Sequence, residues 1–327
     1  IFFYAWTNIN FVLILLVSVL INFIAAILIE KKRGHGKIII ICGLVSNIAL
    51  LGYFKYTNFI LTTVNDITGV EVPHLAVLMP IAISFYTFKQ ITYLVDVYRG
   101  MTPEKDPVRY LLFLTFFPQL LQGPITRYNE MMPQFTPDTM RPDYRNIAMG
   151  ILLFSMGLVK KVFLAEIFSD HASNGYLYAD KVAFFDAWVA CLSYTFQLYF
   201  DFSGYTDMAL GSALFFNIKL PLNFDSPYKA LTLQDFWRRW HMTLSRFLRD
   251  YIYIPLGGNR KGSLLTYGNL IMTFLIGGLW HGAGWTYVVW GALHGIGLAI
   301  NRIWQKAGGR LPAVISWALT FLFFNVT

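Results

Sequence analysis

Two imidazoles, His281 and His294, stand in one apolar stretch that runs from Leu275 through Gly277-Gly278-Leu279-Trp280-His281-Gly282-Ala283-Gly284-Trp285 to His294-Gly295. The stretch is apolar enough to lie in a membrane, where an ionisable side chain is costly and marks a functional site by default. Imidazole is the side chain best suited to moving a proton near neutral pH. The alternative is an interhelical hydrogen bond. In one unbroken helix the two histidines would sit about 20 Å apart, but Gly282 and Gly284 argue against an unbroken helix, so no direct pairing is expected. The glycines flanking His281 allow close backbone approach and Trp280 and Trp285 supply walls, which makes His281 the better catalytic candidate.

A second group lies in 235–260, which begins Asp235-Phe236-Trp237-Arg238-Arg239-Trp240-His241 and ends Gly257-Gly258-Asn259-Arg260. The pattern predicts a helix from Leu233, with Trp237, His241 and Ser245 along one stripe and Arg238, Met242 and Arg249 along the next. Such a mixture suits an amphipathic surface helix as well as a pore-lining one that binds an anion. Asp235 near Thr232 reads as a helix start, and Gly257–Arg260 as a plain turn rather than a phosphate cradle. A third group is the polar stripe Gln197, Asp201 and Tyr205, with Ser203 set to meet Asp207. An ionised Asp at a bilayer centre costs roughly 2.5–3.5 kcal/mol. Both acids therefore need partners, protonation or water, whether in a network that holds helices together or along a cavity.

The elements that carry these groups are expected to be membrane helices. Apolar residues make up 56% of the 327 and charged ones only 13%, against about 25% charged in a soluble domain. The chain therefore reads as one all-α polytopic membrane domain, 1–327, with further helices expected beyond both ends and no signal-peptide pattern. Spans of about 20 apolar residues are predicted at 9–29, 38–62, 75–97, 147–168, 183–201, 263–281, 285–303 and 312–327. The run 110–124 reads as re-entrant or tilted, and 202–218 as a helix buried in protein. Cys42 and Cys191 read as core cysteines rather than a disulfide or zinc pair. The sequon Asn325-Val326-Thr327 carries no weight in an apolar run.

Basic residues cluster in particular loops: Lys31, Lys32, Arg33 and Lys37; Arg99, Lys105 and Arg109; Arg238 to Lys261; and Arg302, Lys306 and Arg310. The loop with Asp66 and Glu71 has none. The positive-inside rule places the basic loops in the cytoplasm and the turn Gly282–Gly284 outside. The net charge of +8 is thus spread over membrane flanks, with no nucleic-acid module. It suits topology and anionic lipid, or attraction of an anionic donor.

The blocks QLYFDFSGYTDMALG at 197–211, LNFDSPY at 222–228, DFWRRWHMTLSRFLRDYIYIPLGGNR at 235–260 and GGLWHGAGWTYVVWGALHG at 277–295 together resemble the membrane-bound O-acyltransferase superfamily. More narrowly they resemble its bacterial alginate O-acetylation branch, with peptidoglycan O-acetylation and teichoic acid D-alanylation proteins as relatives. The resemblance implies a ring of tilted and re-entrant helices around a central tunnel, in a multi-pass protein of the bacterial inner membrane. It implies His281 as catalytic base and His241 as a second functional histidine, with Gln197, Asp201, Arg238, Arg239, Trp240, Asn259 and Trp280 binding substrate or lining the tunnel. No cofactor or metal is implied. The donor would be acetyl-coenzyme A or another acyl thioester such as an acyl carrier protein. The acceptor side would be a polysaccharide, reached directly or through a periplasmic SGNH-type acetyltransferase. Acyl transfer to a sugar hydroxyl needs a base and donors that steady the oxyanion. His281 fits the first role; His241, Asn259 or a backbone N–H fits the second. A transporter built on interrupted helices and a non-catalytic scaffold are the rival classes.

Overall fold

The computed structural model describes residues 2–5, 8–139, 141–178 and 180–327, and among them every regular element is helical. Among the described residues four helical stretches are long and apolar enough to cross a bilayer: Ile9–Lys31, Gly36–Thr68, Tyr144–Leu177 and Ser263–His281. The residues form two compact units, Ile1–Pro133 with Leu279–Val288, and Gln134–Gly278 with Val289–Thr327.

The first unit holds α1 (Phe2–Ala5), α2 (Ile9–Lys31), α3 (Gly36–Leu51), α4 (Thr57–Thr68), α5 (Ile83–Tyr98), α6 (Pro107–Thr115), α7 (Phe117–Leu120) and α8 (Tyr128–Met131). A widened π-helical turn, Gly52–Tyr56, joins α3 to α4. Helix α2 turns Leu15, Val19 and Ala26 inward and leaves Leu13, Val17 and Leu20 exposed, as a lipid-facing surface requires. Polar side chains tie its inner face to its neighbours. Asn22 and Asn47 exchange amide bonds of 3.3 and 2.6 Å, and Ser18 donates to Gln90 at 2.9 Å. In a bilayer such bonds replace the hydrophobic drive for helix association.

The expected span 75–97 is corrected: helix begins only at Ile83, and 69–82 runs without regular helix. Pro73 and Pro80 remove donors and disfavour helix before them. Side chains of α4 take over the backbone bonding instead. Asn65 bonds both backbone groups of Val72 and Asn58 those of Leu75. In the loop before α6, burial alone would raise the pKa of Glu104. Its bonds from Tyr128, from the amides of Asp106 and Lys105, and from Arg109 outweigh that and hold it below the usual carboxylate range.

The second unit holds α9 (Tyr144–Leu158), α10 (Ala165–Leu177), α11 (Phe184–Leu214), α12 (Leu233–Arg239), α13 (Met242–Leu248), most of α14 (Ser263–His281) and α15 (Trp285–Lys306), and α16 (Ala313–Val326). Further π-helical turns occupy Val159–Leu164 and Arg249–Tyr253. The predicted pieces 183–201 and 202–218 are one helix, α11, whose second half is the more buried. It lies against α9 with almost no gap. A Cβ added at Gly157 would fall 2.5 Å from the Gly204 carbonyl oxygen, and one at Gly150 2.8 Å from that of Gly211. Only glycine permits that approach.

Two further expectations are corrected here. The helix from Leu233 does not continue to Ser245: Trp240 is extended and His241 takes φ 42° in the left-handed region. The loop 219–232 claims the backbone groups that a continuous helix would use, since Asp225 N–H donates to the Arg239 carbonyl and Met242 N–H to that of Asn223, both at 2.9 Å. The cysteines are not both in the core. Cys42 is exposed on α3, whereas Cys191 donates to the Asn325 carbonyl at 2.7 Å.

Candidate active site

Helix α14 ends at His281, and its last carbonyls have no partner within the helix. At membrane depth these must be met by protein. Two adjacent side chains from the π-helical turn meet them: Tyr56 donates to the Leu279 carbonyl at 2.6 Å, and Lys55 donates to that of Trp280. The Trp280 ring stacks on Phe88 at 5.3 Å and meets Phe85 edge-on at 5.9 Å, while the His281 ring stands across it at 4.7 Å. His281 itself is exposed. The chain then breaks at 282–284 before α15 begins at Trp285, as the glycines predict. An accessible imidazole at the end of a rigid helix can reach a substrate hydroxyl.

His294 is placed differently. It is 2% exposed and enclosed by Trp237, Phe274, Trp290, Phe323 and Phe324, with ring centroids 4.4 to 6.4 Å away. His241 is 1% exposed and lies against Phe202 at 4.8 Å, on the left-handed joint between α12 and α13. For a non-glycine residue such a conformation is sparsely populated, and it persists only where the surroundings impose it. Asn223 supplies part of that constraint, accepting from Thr243 N–H at 3.2 Å and Thr243 Oγ1 at 2.7 Å. Trp240 packs among Tyr199, Phe224, Tyr228 and Phe236.

The polar stripe of α11 faces α10 and the π-helical turn before it. Gln197 donates to Ser169 at 3.0 Å, Asp201 pairs with Lys161, and Asp207 pairs with Lys160 at 2.6 Å. The expected meeting of Ser203 with Asp207 does not form. Consecutive residues of an ordinary helix point about 100° apart; here the two lysines lie in the widened turn and both reach α11. Doubled Lys160-Lys161 inside an apolar span was the available signal for these partners.

Arg238 and Asn259 come together on a cavity of about 520 Å³, which Trp237, Arg246, Arg249 and Arg302 also line. Asp250 bonds Arg249 through two oxygens at 2.6 and 3.1 Å and raises its pKa. Among the described residues Arg238 and Arg302 make no ion pair. Arg239 points elsewhere, pairing with Asp235 at 3.0 Å and Asp225 at 3.7 Å. Guanidinium groups around a cavity favour a phosphate-bearing anion. Among the described residues no group of three or more His, Cys, Asp or Glu could hold a metal. Lys55, Tyr56 and Asn223 escaped the reading of the sequence as site residues. The signal for Lys55 was a lysine in the middle of an apolar span.

The family model of the membrane-bound O-acyltransferases matches residues 2–308. The "Peptidoglycan O-acetyltransferase" of Helicobacter pylori is 47% identical, over 99% of this chain and 68% of its own length. The "Probable alginate O-acetylase AlgI" of Pseudomonas aeruginosa is 42% identical, over 98% and 63%. The "Teichoic acid D-alanyltransferase" of Streptococcus thermophilus is 29% identical, over 69% and 57%. The chain thus spans 63% of the alginate relative and 68% of the peptidoglycan one.

Proposed function

The chain belongs to the membrane-bound O-acyltransferase family, and we propose that it moves an acetyl group from a cytoplasmic thioester towards hydroxyls of an extracytoplasmic polysaccharide. We take residues 1–327 as one transmembrane domain of the bacterial inner membrane. The observation that carries the reading is His281, an accessible imidazole whose helix end is held by Lys55 and Tyr56 in apolar surroundings.

In this mechanism the acceptor hydroxyl gives its proton to His281 as its oxygen bonds to the thioester carbonyl carbon. The tetrahedral centre then collapses, the carbon–sulfur bond breaks, and the thiolate leaves with the proton that the imidazolium returns. Arg238 and Arg302 hold the phosphates of the donor, acetyl-coenzyme A or an acyl carrier protein's phosphopantetheine, with Asn259 and Trp237 on the same wall. His241 is the second functional histidine of the reading. It is buried against Phe202, so its contribution is smaller.

The names of the relatives suggest two acceptors. The blocks at 197–211 and 235–260 favour O-acetylation over D-alanylation, and the O-acetylation relatives are named for peptidoglycan, at 47% identity, and for alginate, at 42%. Transfer to either proceeds directly or through a periplasmic SGNH-type acetyltransferase. The test uses purified full-length protein in lipid nanodiscs with labelled acetyl-coenzyme A, offered mannuronate oligosaccharides and, separately, peptidoglycan fragments. Labelled ester on one acceptor, lost in His281→Ala, is expected. Transfer unchanged in His281→Ala would sink the base assignment, and no transfer to any acceptor, with or without an added periplasmic SGNH-type acetyltransferase, would leave the transporter or scaffold standing.

A further inference from the structure

A lysine inside a membrane span needs a reason. Lys55 lies in the apolar stretch Gly36–Thr68, on the π-helical turn Gly52–Tyr56, an irregularity frequent at functional sites. Its ammonium donates to the carbonyl of Trp280, the residue before His281, and lies 5.9 Å over the Trp280 ring. Among the described residues no carboxylate pairs with it. Capping a helix end explains a donor here but not a charge, for Tyr56 caps the preceding carbonyl without one. An ammonium has three N–H groups, and Trp280 takes one.

We propose that Lys55 is a catalytic residue, whose ammonium steadies the oxyanion formed on the thioester carbonyl while His281 holds the hydroxyl proton. The proposal rests on the acyl transfer at His281 set out above. In the step, the carbonyl π electrons move onto oxygen as the hydroxyl oxygen bonds to carbon. Lys55 neutralises that oxygen without giving up a proton. The electrons return when the carbon–sulfur bond breaks. A donor placed where charge develops contributes most in a water-poor site. Tyr56 is then a positioning residue that holds the end of α14.

The experiment separates charge from capping. Lys55→Gln keeps a donor for the Trp280 carbonyl and removes the charge; Lys55→Arg keeps both. In full-length protein with acetyl-coenzyme A and whichever acceptor is acetylated, Lys55→Gln is expected to lower kcat about 10²–10³-fold, with the KM for donor within about twofold. Lys55→Arg recovers much of the loss, and Tyr56→Phe costs far less than Lys55→Gln. A folded Lys55→Gln protein with kcat near the parent's, or one whose loss lies only in KM, overturns the proposal. If Lys55→Gln cannot be purified, Lys55→Cys in a Cys42→Ser, Cys191→Ser background is treated with bromoethylamine, which rebuilds an ammonium at that reach. Return of kcat supports the proposal, and no return in folded, modified protein overturns it. His281→Ala is run beside these variants. If it retains transfer, the underlying mechanism fails; if it is inactive while Lys55→Gln is unimpaired, Lys55 alone is excluded.

Discussion

His281 and His294 share one apolar block and look interchangeable in it, yet the structure gives them opposite surroundings. His294 is sealed within five aromatic rings, where an imidazole fills space and meets no solute. His281 sits at an exposed helix end beside a lysine, with glycine on its far side. His294 too has a polar neighbour, Thr327 Oγ1 at 3.4 Å, so the difference is access: proton transfer demands it, and packing demands enclosure. The pair teaches that an ionisable residue in an apolar run is assigned by what encloses it.

The largest expected effect tests that contrast directly. His281→Ala should lower transfer about 10²–10⁴-fold, as loss of a general base does, with melting temperature little changed. His294→Ala should do the reverse, destabilising by roughly 2–4 kcal/mol through the cavity it leaves, with activity per folded molecule near the parent's. Reversed outcomes in thermal melts and initial rates would break the comparison.

The arginine cavity comes next. Arg302→Gln removes one charged contact and should raise the KM for acetyl-coenzyme A about tenfold, the equivalent of about 1.4 kcal/mol, with kcat nearly kept. A change in kcat instead would place the donor's reacting end, not its phosphates, at this cavity.

A smaller effect is expected from the ion pairs of α11. Asp201→Ala leaves Lys161 unpaired and should lower folded yield in detergent several-fold, whereas Asp66→Ala in its exposed position should not. Equal yields and turnover for the two would remove Asp201 from the wall it is proposed to hold. A last measurement sharpens the contrast by reading topology alone. In protein lacking Cys42 and Cys191, cysteines at 31–37 or 256–262 should label only from the cytoplasm, and ones at 66–71 or at Ala283 only from outside. Labelling of Ala283→Cys from the cytoplasm would put His281 on the donor's side.

Much of this architecture is local and could be read in advance. Apolar runs declare helices at membrane depth, because backbone polar groups have no other partner there. Thr232 starts α12 by accepting the Asp235 amide at 3.0 Å, Gly282 and Gly284 break the chain after His281, and Gly257 and Gly258 turn it with positive φ. The motif blocks also marked His281 within reach of chemistry. Other features rest on partners far along the chain. Asn223 and Asp225 end α12 at Trp240 by taking its backbone bonds, and the asparagines of α4 hold 72–75 away from helix. Lys160 and Lys161 answer the two aspartates of α11 across 47 and 40 residues. Lys55 and Tyr56 reach the end of α14 across 225 and 223 residues. Periodicity and capping signals act over a few residues. The sequence alone therefore determined where most of the helices lie and which block carries the imidazole. Tertiary packing decided which imidazole stays open and which cation stands beside it, because a hydrogen bond depends on distance in space and not along the chain.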